Sequence, residues 1–209
     1  MRPYSQRSGG LRPDGGRARS QSAPTALGVV FRDGVVLAGT TGRVRGATVT
    51  GTDRPIVQIH PTAAVTLTAS LGDARAFADR LREIADRYEL EHDAPIGLEA
   101  LATRAGSLRR DDDGSGRLLL GGVDDEPRLY VLEADGGLLA EAAFTAVGSG
   151  SQLVVGTLED RYDDPDRADA TELARSALES AVSRDTGSVG PATLATVTAD
   201  GVSMNDVDR

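Results

Sequence analysis

Lysine is absent from the 209 residues, and all 23 cationic side chains are arginine. An arginine stays protonated at any pH a protein meets, whereas a lysine amine can be driven into its neutral, proton-accepting form. Mechanisms that use a lysine as base, Schiff-base former or tunable charge are therefore closed to this chain. Cysteine is absent as well, which removes disulfides, thiolate nucleophiles and cysteine-ligated zinc. The two histidines, His60 and His92, are too few for a histidine-built metal site. His60 precedes a Pro-Thr turn and His92 falls at a charged helix end, so both are expected in solvent. No metal and no cofactor is expected. No apolar run approaches the roughly 18 residues of a membrane span, and no signal-peptide core is present. The expectation is a cytoplasmic protein without membrane contact.

What is abundant is acid. Asp and Glu together number 32, and the formal net charge is −9. Nucleic-acid binding needs clustered cations, so no nucleic-acid partner is expected. Excess aspartate, missing lysine and cysteine, and only 3% aromatic residues suggest a salt-loving cytoplasm. There, hydrated carboxylates keep a surface soluble while salt screens their repulsion.

The charge is uneven. Residues 1–24 hold five arginines and one acid among Gly, Ser and Pro. With almost nothing apolar to bury, this head reads as a disordered leader. A main domain is expected over 25–203 and a polar tail over 204–209.

From Thr25 the chain reads as short strands. Segments 25–31 and 35–40 flank Arg32-Asp33-Gly34, a hairpin signal, and 56–59 and 63–69 follow around Pro61. The period then turns helical through Ala74, Phe77, Leu81, Ile84 and Tyr88, with Ser70 and Asp73 placed like a capping box. Pro95 suits the first turn of a second helix ending near Leu108. An acidic turn at Asp111-Asp112-Asp113 lacks the ligand spacing of a calcium loop. Strands are predicted at 118–123, 128–133 and 138–147. Helices are predicted at 152–162 and 167–184, then a last strand at 192–197 ending at Asp200-Gly201. Two blocks of strands, each followed by paired helices, describe a layered α+β domain with sheets inside and helices outside.

Six stretches in this order resemble the β-type subunits of the proteasome, in the N-terminal-nucleophile hydrolase superfamily. They are GVVFRDGVVLA at 28–38, VTLTASLGDA at 65–74, LEALA at 98–102, LGGVD at 120–124, GSGS at 148–151 and RDTGS at 184–188. The resemblance covers roughly residues 25 to 203 and suggests a divergent archaeal, haloarchaeal relative. It implies a four-layer αββα sandwich, two five-stranded antiparallel sheets between helical layers. It also implies ring assemblies with α-type subunits, β-type subunits or further copies of the chain. Protein or peptide substrates follow if the chain is active.

In that family a processed N-terminal threonine is the nucleophile and its own α-amine the base, with a lysine held by an aspartate nearby. Carried across residue by residue, the nucleophile position falls on Pro24, which has no hydroxyl. The aspartate position falls on Thr40, and the lysine position on Arg54 or Pro55. By contrast, Ser149, Asp185 and Ser188 match the supporting serine, aspartate and serine of the family. Each also has an ordinary structural reading: Ser149 or Ser151 as a helix cap, Asp185 as a helix end. Two functions stand open. One is a non-catalytic or impaired structural ring subunit. The alternative is an active threonine endopeptidase processed to expose Thr25, which would require a one-residue slip of the first strand, reversing its inward and outward faces.

Overall fold

The structure is a computed structural model that describes residues 24–45, 48–50, 54–67, 71–111 and 116–207. It runs β1 (Ala26–Phe31), β2 (Gly34–Arg45), β3 (Thr48–Thr50), β4 (Ile56–His60), β5 (Ala63–Thr66), α1 (Leu71–His92) and α2 (Leu98–Asp111). Then follow β6 (Leu118–Val123), β7 (Pro127–Leu132), β8 (Leu138–Glu141), β9 (Phe144–Val147), α3 (Ser151–Arg161), α4 (Arg167–Arg184), β10 (Val189–Thr198) and β11 (Gly201–Val207). One antiparallel sheet has the order β11-β10-β2-β1-β9, with short β3 hairpinned onto the far end of β2. The other has the order β4-β5-β6-β7-β8.

The α+β sandwich is legible in three apolar layers. Strand side chains alternate between faces, so a strand buried on both sides must be apolar throughout. Along β1, Leu27, Val29 and Phe31 join Val154, Leu158, Leu173 and Ala177 of α3 and α4. Ala26 and Val30 point the other way, into a layer with Leu37, Leu119, Leu129 and Val131 between the sheets. On the second sheet, Val65, Leu120 and Leu132 meet Phe77, Leu81 and Leu101 of α1 and α2. The order is therefore helices, sheet, sheet, helices. Gly121 permits the close approach of the sheets, since a Cβ there would stand 2.9 Å from Val35 and 3.2 Å from Leu37.

Several expectations are corrected. The run predicted as one strand over 138–147 is two. β8 pairs with β7 in one sheet and β9 with β1 in the other, so the chain changes sheets at Ala142 and Ala143, where no turn residue marks the crossing. The second helix starts at Leu98, not at Pro95. Its first free N–H is capped from another element: Asp124, after β6, accepts from Leu98 N–H at 2.9 Å. The chain does not end its sheet at Asp200-Gly201. They form a hairpin into β11, which pairs with β10 through Val207, so residues 204–207 of the expected tail are strand. His60 is half-buried, not solvated. Burial lowers its pKa, against the raising pull of Glu89 and Asp86, and Thr62 N–H donates to its Nδ1 at 3.4 Å. His92 is exposed and stacks on Tyr88. Ser70, Asp112, Asp113 and residues 1–23 of the expected leader lie outside the described residues. Among the described residues, no helix is long and apolar enough to cross a membrane.

Candidate functional site

Four chain segments meet at one end of the first sheet. They are the start of β1, the middle of β2, the turn from β9 into α3, and the turn from α4 into β10. Thr25, Thr40, Ser149, Asp185 and Ser188 are brought together here.

Thr25 precedes β1 and shares the face of Leu27, so it turns toward the helical layer. It is 0% exposed. Its Oγ1 accepts from Gly150 N–H at 2.8 Å and lies 2.6 Å from Ser188 Oγ. Ser188 Oγ donates onward to Asp185 Oδ2 at 2.7 Å. Since that spends the only proton on Ser188 Oγ, Thr25 is the donor to Ser188. Ser149 Oγ donates to the same carboxylate oxygen at 2.6 Å. The result is a directed chain, Gly150 to Thr25 to Ser188 to Asp185, that ends on a carboxylate. Burial would raise the Asp185 pKa. Bonds from the Ser149 and Ser188 hydroxyls and the Gly187 and Ser188 N–H groups outweigh it and leave the pKa lowered.

Local sequence sets this geometry. Gly150 is the N-cap of α3 with no side-chain cap bond, and Ser149 Oγ reaches across to Asp185. The structural reading of Ser149 or Ser151 as a cap is therefore not what the turn uses. Asp185 does end α4, its N–H bonding Ala181 O, and its carboxylate also serves the network. Gly148 holds φ +99°, and a Cβ there would stand 2.0 Å from Pro24 O. Only glycine fits against the start of β1. The role of Gly150 was missing from the sequence reading, although the glycines of the GSGS turn were its signal.

The remaining matched positions are differently placed. Pro24 is buried, its carbonyl lying against Gly148. Thr40 is 1% exposed, and its Oγ1 accepts from Thr25 N–H at 3.3 Å while Thr40 N–H bonds Thr25 O at 3.0 Å. Pro55 is buried, its carbonyl accepting from Leu67 N–H at 2.6 Å. Arg54 is exposed, and its guanidinium reaches Asp206 on β11 at 3.3 Å. It is not directed into the hydroxyl network. Among the described residues no cluster of His, Asp and Glu offers a metal site.

Comparison with known proteins matches the sequence of the chain to one family. The proteasome subunit family aligns with residues 20–197. The chain is 38% identical to a proteasome subunit beta of Halomicrobium mukohataei over 198 residues, covering 92% of this chain and 83% of that one. It is 38% identical to a proteasome subunit beta 2 of Haloterrigena turkmenica, covering 99% and 92%. With a proteasome subunit beta 1 of Haloarcula marismortui it shares 37%, over 90% and 80%. A four-layer sandwich of this topology, matched along nearly its whole length, places the chain in the proteasome subunit family as a β-type member.

Proposed function

We propose that this chain is a β-type subunit of a proteasome core particle that serves an architectural role without hydrolysing peptide bonds. It takes a place in a ring with other proteasome subunits, α-type, β-type or further copies, and shapes the inner wall. Its setting is the cytoplasm of a high-salt cell, in keeping with its acidic composition.

The observation that carries the reading is the occupation of the nucleophile position by Pro24. The neighbouring threonine has its hydroxyl committed to Gly150 and Ser188. A hydroxyl nucleophile needs a base within hydrogen-bond reach and a path for its carbonyl target. The Thr25 nitrogen lies in the Pro24 peptide bond and donates to Thr40. No lysine exists to depress a pKa. Ser149, Asp185 and Ser188 keep their positions because the same bonds tie two turns to β1.

The test is turnover of fluorogenic peptides by the purified chain, with a threonine-directed covalent inhibitor as control. The proposal requires background rates, no adduct, and an intact mass that retains the residues before Thr25. Inhibitor-sensitive turnover, or an adduct on the Thr25 oxygen after cleavage at Pro24–Thr25, would overturn it in favour of a working threonine endopeptidase.

A further inference from the structure

We propose that the cavity enclosed by the β4–β5 turn, the segment joining α1 to α2 and the β10–β11 turn binds a small branched aliphatic amine, with its ammonium at Glu89. The cavity has a volume of about 390 Å³, within the roughly 300–1,000 Å³ of small-molecule sites. Pro61, Pro95, Ile96, Leu98, Leu101 and Val123 form its apolar walls. Among the described residues no Phe, Tyr or Trp lines it, so the walls suit a branched aliphatic body better than a flat ring.

Bonds between segments remote in sequence fix those walls. Val123 N–H donates to the Thr62 carbonyl at 2.9 Å, which ties the end of β6 to the β4–β5 turn. Leu98 N–H donates to Asp124 Oδ2 at 2.9 Å, which ties the start of α2 to the β6–β7 turn. Ile96, Leu98 and Leu101 are anchored in the core beneath α1 and α2. The space is therefore preformed and does not wait for a ligand to open it.

Charge selects the head group. Among the described residues, the titratable side chains lining the cavity are His60, Glu89 and Asp124, and no arginine joins them. Burial holds the His60 pKa below the ordinary histidine value, against the pull of Glu89 and Asp86. Near neutral pH the imidazole therefore carries no charge and does not repel a cation. Asp124 is already committed, since Oδ2 accepts from Leu98 N–H, Oδ1 accepts from Asp125 N–H, and Arg128 stands 4.0 Å away. Glu89 lies at the exposed rim, and no hydrogen bond or ion pair ties its carboxylate to a described residue. An ammonium placed there gains a charge-assisted hydrogen bond while its carbon body leaves water. An anion would meet two carboxylates and no cation. This inference stands apart from the proposed function, because the cavity lies by the β10–β11 turn, at the far end of β10 from Ser188, and needs no hydrolysis.

The experiment is a saturation-transfer NMR titration of the full purified chain with isopentylamine near neutral pH. Isopentanol and isocaproate are the neutral and anionic comparison probes. At about 1 M KCl the Debye length falls to about 3 Å, so a preference that survives there reports direct contact. The amine is expected to bind about fivefold tighter than the alcohol, the scale of an exposed ion pair, and the carboxylate weakest of the three. Glu89→Gln should bring the amine down to the alcohol. Glu83→Gln, an equal change in charge at an exposed position on the same helix, should keep the preference. Ala199→Phe, at an exposed turn position on the cavity wall, should abolish binding of every probe. Circular dichroism checks each fold. If Ala199→Phe does not fold, Gly97→Leu replaces it, since a Cβ at Gly97 meets nothing closer than Asp124 at 3.8 Å. Absence of amine binding, equal binding of amine and alcohol, an undiminished preference in Glu89→Gln, or unchanged binding in the filled variant would overturn the proposal.

Discussion

At the scale of single residues, the site turns on what each hydroxyl does with its one proton. Thr25 gives its proton to Ser188 and takes one from Gly150 N–H, so its side chain acts as a joint between β1 and two turns. Thr25→Val keeps the shape but leaves the buried Gly150 N–H without an acceptor, which costs about 1–3 kcal/mol. Thr25→Ser retains both bonds and should cost much less. Urea unfolding of the two variants distinguishes them, and equal stability would mean that the hydroxyl carries no structural role. Asp185 adds a pH dependence. Burial tends to raise its pKa, but four hydrogen-bonding groups lower it on balance. The unfolded chain therefore takes up this proton first as pH falls. The contribution of the network is complete above about pH 4, the ordinary carboxylate value, and is lost as pH drops through the folded one. Urea midpoints between about pH 6 and pH 2 should fall more steeply for the natural chain than for Asp185→Asn. Matching acid limbs would contradict that assignment.

At the scale of elements, ends are decided by partners that are remote in sequence. The α2 helix lacks a strong cap of its own at Gly97, and the Asp124 carboxylate crosses from the β6–β7 turn to bond Leu98 N–H. Removing such a cap costs roughly 0.5–2 kcal/mol. Asp124→Ala should lower stability by that amount and Asp124→Asn by less, as read from denaturant midpoints. The split of 138–147 into β8 and β9 has the same character. Leu138 to Val147 holds no glycine or proline to mark a break, and pairing with β7 and then β1 divides it in the middle. Val30 N–H bonds Ala143 O at 2.7 Å to hold the crossing. The same holds for β11, where Val202 and Met204 turn to the layer between the sheets, exposed Ser203 and Asn205 stand between and after them, and Val207 joins the helical layer. Polarity alone suggested a tail, whereas alternation against β10 makes it an edge strand with one wet face.

At the scale of the whole molecule, a chain with 32 acids against 23 arginines repels itself when salt is low. Salt screens that repulsion, so the thermal midpoint should rise steadily from about 0.1 M to about 1 M KCl. An unchanged or falling midpoint in differential scanning fluorimetry would show that the excess aspartate does not limit stability. The sequence by itself determined the layering, because two blocks of short apolar strands, such as those holding GVV at 28–30 and LLLGGV at 118–123, are each followed by paired amphipathic helices that must cover them. It also determined that lysine chemistry is missing, since no fold can restore an absent lysine. Only the tertiary structure decided which way Thr25 faces, that Asp124 caps α2, and that His60, Glu89 and Asp124, separated in the chain, line one cavity. Those facts depend on strand register and on packing between distant segments, which local residue preference does not encode.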